Sequence, residues 1–300
     1  MREAREADLI IKHSGVGSDD DYLEAAVLET AAAAPCGRRP RVAYWDVDAA
    51  ATLADVARRP DHPLRACLPQ FDFVFTYGGG PKVVAQFLEL GAQRCFPIYN
   101  GLDPDTHFPA PTDGAFQSDL SFLGHRLPDR EARVQHFFFG AARRRPGLQF
   151  LLAGEGWTQP QEANVRTCGY LAPGFHNALN ASARLVLNLN REAMAQAGFS
   201  PPTRIFEAAG AGAAIVSDAW TGMGLFFEPG REILIAAGPE QLAEHLDAVS
   251  PAAARALGRR ARERALAEHT YQRRAARFEQ LLHAPGSRAN PAVHSASLCT

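Results

Sequence analysis

The sequence predicts an α/β protein built on parallel sheets. Two observations carry this. Short apolar runs of strand length alternate with longer helix-forming segments along nearly the whole chain. The alternation also runs twice, once in each half, with an Asn-Gly turn and two prolines between the rounds. Of the 300 residues, 46% are hydrophobic, which is ample for a core.

In the first half, Leu9-Ile10-Ile11 reads as a buried strand, Ser14-Gly15-Val16-Gly17 as the loop after it, and residues 21–34 as an amphipathic helix. Residues 41–46 form a second strand, with Asp46 and Asp48 at its C-terminal end. Residues 72–76 form a third, followed by Tyr77-Gly78-Gly79-Gly80-Pro81 and a helix over 82–90; residues 95–99 form a fourth. Ligands of open parallel sheets bind at the C-terminal strand ends, where most of these polar loops lie. Asn100-Gly101-Leu102-Asp103 to Phe108-Pro109 reads as a surface loop. In the second half, residues 120–124, 148–153, 165–169 and 185–190 read as strands. Residues 128–143, 175–181, 239–249, 252–267 and 269–282 read as helices, and 284–300 as a disordered tail.

A formal charge of −2 gives no reason to expect a nucleic-acid partner. Lys12 and Lys82 are the only lysines, so bound phosphate in the second half would need arginine or backbone amides. Five scattered cysteines without a C-x-x-C indicate reduced thiols and a cytoplasmic protein. No apolar run is long enough to span a membrane, and no signal peptide is visible.

The most informative stretch is residues 200–218, SPPTRIFEAAGAGAAIVSD. Ser200 reads as an N-cap, Pro201 and Pro202 as the first helical turn, Gly212 as the stop, and residues 213–216 as a buried strand. Thr203, Glu207 and Gly210 share one stripe, with Arg204 one step round. The small residues from Ala208 to Ala211 allow backbone or ligand to come close, and the helix N-terminus suits a phosphate. A packed helix with a Glu207–Arg204 pair accounts for the same residues.

This stretch, continued to Trp220, resembles the signature of the CgeB-like (spore maturation protein) glycosyltransferases, of the GT-B class with a group-1-like C-terminal domain. The run from Asn100 to Pro109 is similar to the segment that links the two Rossmann-like domains of such enzymes. The resemblance implies an acceptor-side domain over 1–109, a nucleotide-sugar domain over 110–268, and a helix over 269–283 crossing back to the first domain. The first domain looks truncated against its counterparts. The implied activity is transfer of a sugar from a nucleotide-diphosphate donor, of UDP or GDP type, to an unknown acceptor. Retention at the anomeric carbon is implied, with no metal and no resident cofactor. Glu207 would hold the donor ribose, and the turn of Ser200, Pro201, Thr203 and Arg204 would face the phosphates.

Arg126, at the strand end after Gly124, is a candidate diphosphate contact; Arg130 reads rather as a surface partner of a neighbouring acid. Gly169 and Tyr170 fall where such enzymes hold the base, although a core tyrosine fits as well. Asn190 and Arg191 resemble the family's residues before the donor helix. The acceptor-side candidates are His13, Asp46, Asp48 and Gly79. Asp46-x-Asp48 has too few ligands for a hard cation. Many retaining relatives place a second glutamate where Phe199 stands. That departure, with the missing lysine and the short first half, keeps a non-catalytic GT-B module in view. A sugar-nucleotide epimerase fits the motifs less well.

Overall fold

The computed structural model describes residues 4, 6–15, 19–35, 38–157 and 160–284. Val16, Gly17 and the tail from 285 lie outside them. The chain forms two compact units. The first holds the chain up to Tyr99, Ala197–Ser200, and the residues from Arg277; the second holds Asn100–Gln196 and Pro201–Ala276. The chain therefore leaves the first unit at Tyr99, ahead of the expected boundary near residue 109.

The first unit contains β1 (Leu9–His13), α1 (Asp20–Ala32), β2 (Arg41–Asp46), α2 (Ala49–Arg58), α3 (Leu64–Cys67), β3 (Phe73–Thr76), α4 (Pro81–Glu89) and β4 (Cys95–Pro97). Its sheet runs β1-β2-β3-β4, all parallel. Right-handed crossovers that always step the same way leave the helices connecting these strands on one face. There Val42, Tyr44 and Val74 pack with Leu28, Leu53, Val83 and Phe87. The opposite face, with Ala43, Phe73 and Phe75, is covered by Phe278, Leu281 and Leu282 from the end of the chain.

Lys12 is buried between β1 and α1, 2.8 Å from Asp20 and 3.6 Å from Glu24. Asp20 already balances the ammonium, and burial pushes the Glu24 carboxyl up to about 7. The folded pKa lies above the unfolded one, so the protonated form favours the fold below pH 4.5 and that contribution is lost as pH rises through 7. Glu24→Gln should remove up to about 3 kcal/mol of this pH dependence, with the variant the more stable above pH 8. Urea unfolding at pH 5 and pH 8.5 checks it; parallel profiles for the two proteins would disprove it.

The second unit contains β5 (Ser118–Leu123), α5 (Pro128–Val134), a π-helical turn at Gln135–Phe139, α6 (Gly140–Arg144), β6 (Phe150–Ala153), β7 (Val165–Gly169), α7 (His176–Ser182) and β8 (Ala183–Asn188). There follow α8 (Glu192–Ala197), α9 (Thr203–Gly210), β9 (Ile215–Asp218), β10 (Leu234–Ala236), α10 (Pro239–Ala248), α11 (Pro251–Glu268) and α12 (Tyr271–His283), whose residues from Arg277 belong to the first unit. Its parallel sheet has the order β10-β9-β8-β5-β6-β7. The order reverses between β5 and β8, and a crevice opens at such a switch point. One face packs Leu120, Phe122 and Leu187 against Phe138 and Leu242. On the other, Leu151 and Ala153 meet Leu179 of α7. Among the described residues no helix is long and apolar enough to cross a membrane.

Candidate functional site

The start of α9 differs from the sequence expectation. Pro202, not Ser200, is the N-cap, and no side chain caps the helix. Pro201 and Pro202 precede the helix rather than open its first turn. Ser200 is engaged within the first unit: its hydroxyl accepts from Gly79 N at 2.9 Å and donates to the Gly198 carbonyl at 2.8 Å. Gly79 N also donates to the Phe199 carbonyl. A Cβ on Gly80 would stand 2.4 Å from the Phe199 ring. The glycine run thus closes on Phe199 and Ser200. Phe199 is held at φ 46°, the one positive-φ non-glycine among the described residues.

At the switch point of the second unit a cavity of about 40 Å³ is lined by Phe122, Arg130, Asn188, Pro202, Arg204 and Glu207, among others. Glu207 is largely buried on α9. Its Oε2 accepts from Arg204 Nη1 at 3.1 Å, so the expected helical pair is present. The same Nη1 lies 3.3 Å from His176 Nδ1. Burial first, then Arg204, holds the His176 pKa below its ordinary value. His107 Nε2 stands 3.9 Å from Glu207 Oε1. His107 is brought there because Gly210 has no side chain: a Cβ would lie 2.4 Å from Leu102 Cδ1 and 2.7 Å from the His107 carbonyl. Asn177 fixes the same segment by donating to the Thr106 carbonyl at 2.9 Å.

Three arginines collect here. Arg130 lines the cavity, and its pKa is lowered by burial and by the neighbouring charges of Arg204 and Arg191, against Asp129. Arg191 pairs with Asp129 at 2.5 Å. Arg126, by contrast, is 43% exposed and paired with Glu131 at 2.8 Å. The two candidate arginines have thus exchanged places: Arg130, read as a surface partner, faces the cavity, and Arg126 makes the surface pair.

Asn190, just past β8, and Asp218, the last residue of β9, are both buried. Asp218 is 1% exposed, accepts from Asn190 N at 3.2 Å, and pairs with Arg133 at 2.5 Å. Burial raises its pKa despite Arg133. Gly124 and Gly169 lie at the ends of β5 and β7, where the Gly124 carbonyl accepts from Trp157 Nε1 and the Gly169 carbonyl from Gly154 N. Tyr170 is 60% exposed, which excludes the core reading and leaves its ring open for stacking. A larger groove of about 660 Å³ runs at the opposite, N-terminal edge of this sheet. There Arg184 is bonded to Asp119 and to the Leu246 and Val249 carbonyls, and Arg255 lines the groove beside it.

The acceptor-side candidates lie in the first unit. His13 is exposed and stacks on Trp45, with ring centroids 5.5 Å apart. Asp46 is fully buried and accepts from Ser14 Oγ, Thr52 Oγ1 and Asp48 N, so it braces the β2–α2 turn. Asp48 sits at the start of α2. Among the described residues no third ligand joins these two acids. Sequence reasoning assigned no role to His107 or His176. The one signal was the place of His107 beside Phe108-Pro109 in the linker motif.

Residues 130–280 match the family model described as "Glycosyl transferase-like". No curated protein has a sequence that matches this chain. Among solved structures, sucrose-phosphate synthase from Thermosynechococcus elongatus is similar at 16% identity and TM-score 0.65, over 92% of this chain and 73% of that one. Anabaena Alr3699/HepE in complex with UDP and glucose is similar at 17% identity and TM-score 0.67, over 95% and 80%. At these identities the likeness is one of fold: two parallel α/β sheets of GT-B type.

Proposed function

The chain belongs to the glycosyl transferase-like family, and from that we propose that it transfers a sugar, of hexose type, from a nucleotide-diphosphate donor to an acceptor. The observation that carries this reading is the switch-point cavity, where Glu207, Arg204 and Arg130 meet beside the uncapped end of α9. The Glu207 carboxylate accepts hydrogen bonds from the donor ribose hydroxyls. Arg204, Arg130 and the first N–H groups of α9 take the diphosphate and stabilise it as it leaves, so the transfer step calls for no metal. Tyr170 and the Gly169 backbone receive the base, while Asn190 and Arg191 shape the sugar side. His13, on its Trp45 platform, is the acceptor-side group. Bound UDP and glucose in Alr3699/HepE support a UDP-type donor, with GDP as the alternative.

The CgeB-like subfamily, the retaining outcome and a cytoplasmic setting belong to the same proposal; the buried free thiols of Cys67 and Cys95 support the last. One observation favours a second reading, a module that binds without turnover. Phe199 occupies the family's second-glutamate position, and its ring is committed to Gly80.

Calorimetric titration of UDP and GDP, then of their sugars, tests the proposal. Micromolar to millimolar binding is expected. Arg130→Gln should weaken it about tenfold, as for loss of one charge-assisted contact, and Arg126→Gln should leave it unchanged. No binding by folded wild-type protein would refute the donor site; binding without sugar transfer or hydrolysis would select the second reading.

A further inference from the structure

The ligand-type atoms of His107, His176 and Glu207 all lie within 4.8 Å of one another. The outer nitrogen of each imidazole is tied. His176 Nε2 donates to the Leu171 carbonyl at 3.2 Å. His107 Nδ1 bonds Thr106 Oγ1 at 2.9 Å, and that hydroxyl donates to the Asp103 carbonyl at 3.3 Å. These bonds place a proton on the outer nitrogen of each ring and turn a lone pair of each toward Glu207. Metal-ligating histidines are held in this way, by a second nitrogen bound to a carbonyl or similar group. Acceptors that face a carboxylate are mismatched until a cation comes between them. Arg204 already supplies one: a single guanidinium nitrogen donates to both Glu207 and His176.

We propose that His107 Nε2, His176 Nδ1 and a Glu207 oxygen form a three-ligand site for a divalent cation of zinc type, in which the cation and Arg204 replace each other. Donor atoms about 2 Å from such an ion stand roughly 3.3 Å apart, so these side chains must close by up to about 1.5 Å. Two imidazoles and one carboxylate suit zinc, cobalt or nickel over magnesium or calcium, which take oxygen ligands. Arg204 has 38% of its side chain exposed and can swing to solvent. Cation and nucleotide both use Glu207, so the bound cation excludes the donor. That exclusion rests on the proposed donor site; the binding of the cation does not.

The test is titration of tag-free protein with Co²⁺, followed by its visible ligand-field absorption and by calorimetry, then displacement by Zn²⁺. One Co²⁺ per chain is expected, with the intense absorption of a four-coordinate site. His107→Gln and His176→Gln should each weaken binding at least about tenfold. Arg204→Gln should tighten it severalfold, an effect that a packing role for the histidines would not produce. Absence of the absorption in folded wild type, or equal affinity in the histidine variants, would overturn the site. If His176→Gln does not fold, His107→Gln decides alone, because that side chain is partly exposed. UDP added to cobalt-loaded protein should release the metal; UDP binding alongside cobalt would overturn the exclusion. Failure of UDP to bind the metal-free protein counts against the donor site and leaves the cobalt result standing.

Discussion

Glu207→Ala should lose nucleotide affinity on the order of 100-fold while its unfolding transition stays almost where it was. Hydrogen bonds to a charged group contribute about 1.5–3 kcal/mol each, and each 1.4 kcal/mol is tenfold in affinity. Two ribose hydroxyls on one carboxylate, partly replaced by water, give roughly that loss. The effect on stability is small because the partner of Glu207 is a half-exposed arginine one helical turn away, a pair of about 0.5 kcal/mol or less. Glu207→Gln keeps the shape and one acceptor, so about tenfold is expected. Calorimetry with UDP or GDP decides: an alanine variant that binds as the wild type does would end the ribose assignment.

Gly210→Ala should destabilise the second unit by on the order of 2 kcal/mol, against the usual trend. In a helix interior alanine is favoured over glycine by up to about 1 kcal/mol. Here the added methyl would meet the His107 carbonyl, which is backbone and cannot rotate away, as well as Leu102. Overpacking of this kind costs about 1–3 kcal/mol, so the clash outweighs the propensity. The same shift would carry His107 away from Glu207. Urea unfolding monitors the first effect, and a variant more stable than wild type would show that segment 102–107 does not depend on the glycine.

Most of the sheets was legible because buried parallel strands read as short apolar runs, as in residues 150–153 and 185–189. The missed elements lack that signal. α2 begins with three alanines and carries few large side chains, and β10 has only three residues. The mistake at Ser200 has a physical origin. A serine before two prolines is a good local cap, but its hydroxyl is taken by Gly79, 121 positions away, and no local pattern records such a partner. Glu207 and Arg204 were readable because they share one helix. The histidines were not, since His107, His176 and Glu207 come from separate segments that only the packing at Gly210 and α7 brings together. Arg126 and Arg130 lie four residues apart near the start of α5, and spacing alone cannot say which of them turns inward.

The one-directional sheet of the first unit has a consequence for synthesis. Its strands and their helices all precede Asn100, yet Phe73 and Phe75 acquire their cover only with Phe278, Leu281 and Leu282. An aromatic sheet face therefore stays bare while the residues between Asn100 and Phe278 are made. Closing it joins residues some two hundred positions apart, a contact of high order that forms late and slowly. The nascent chain is exposed to aggregation over that interval, and the first unit completes its fold only after the second has been made.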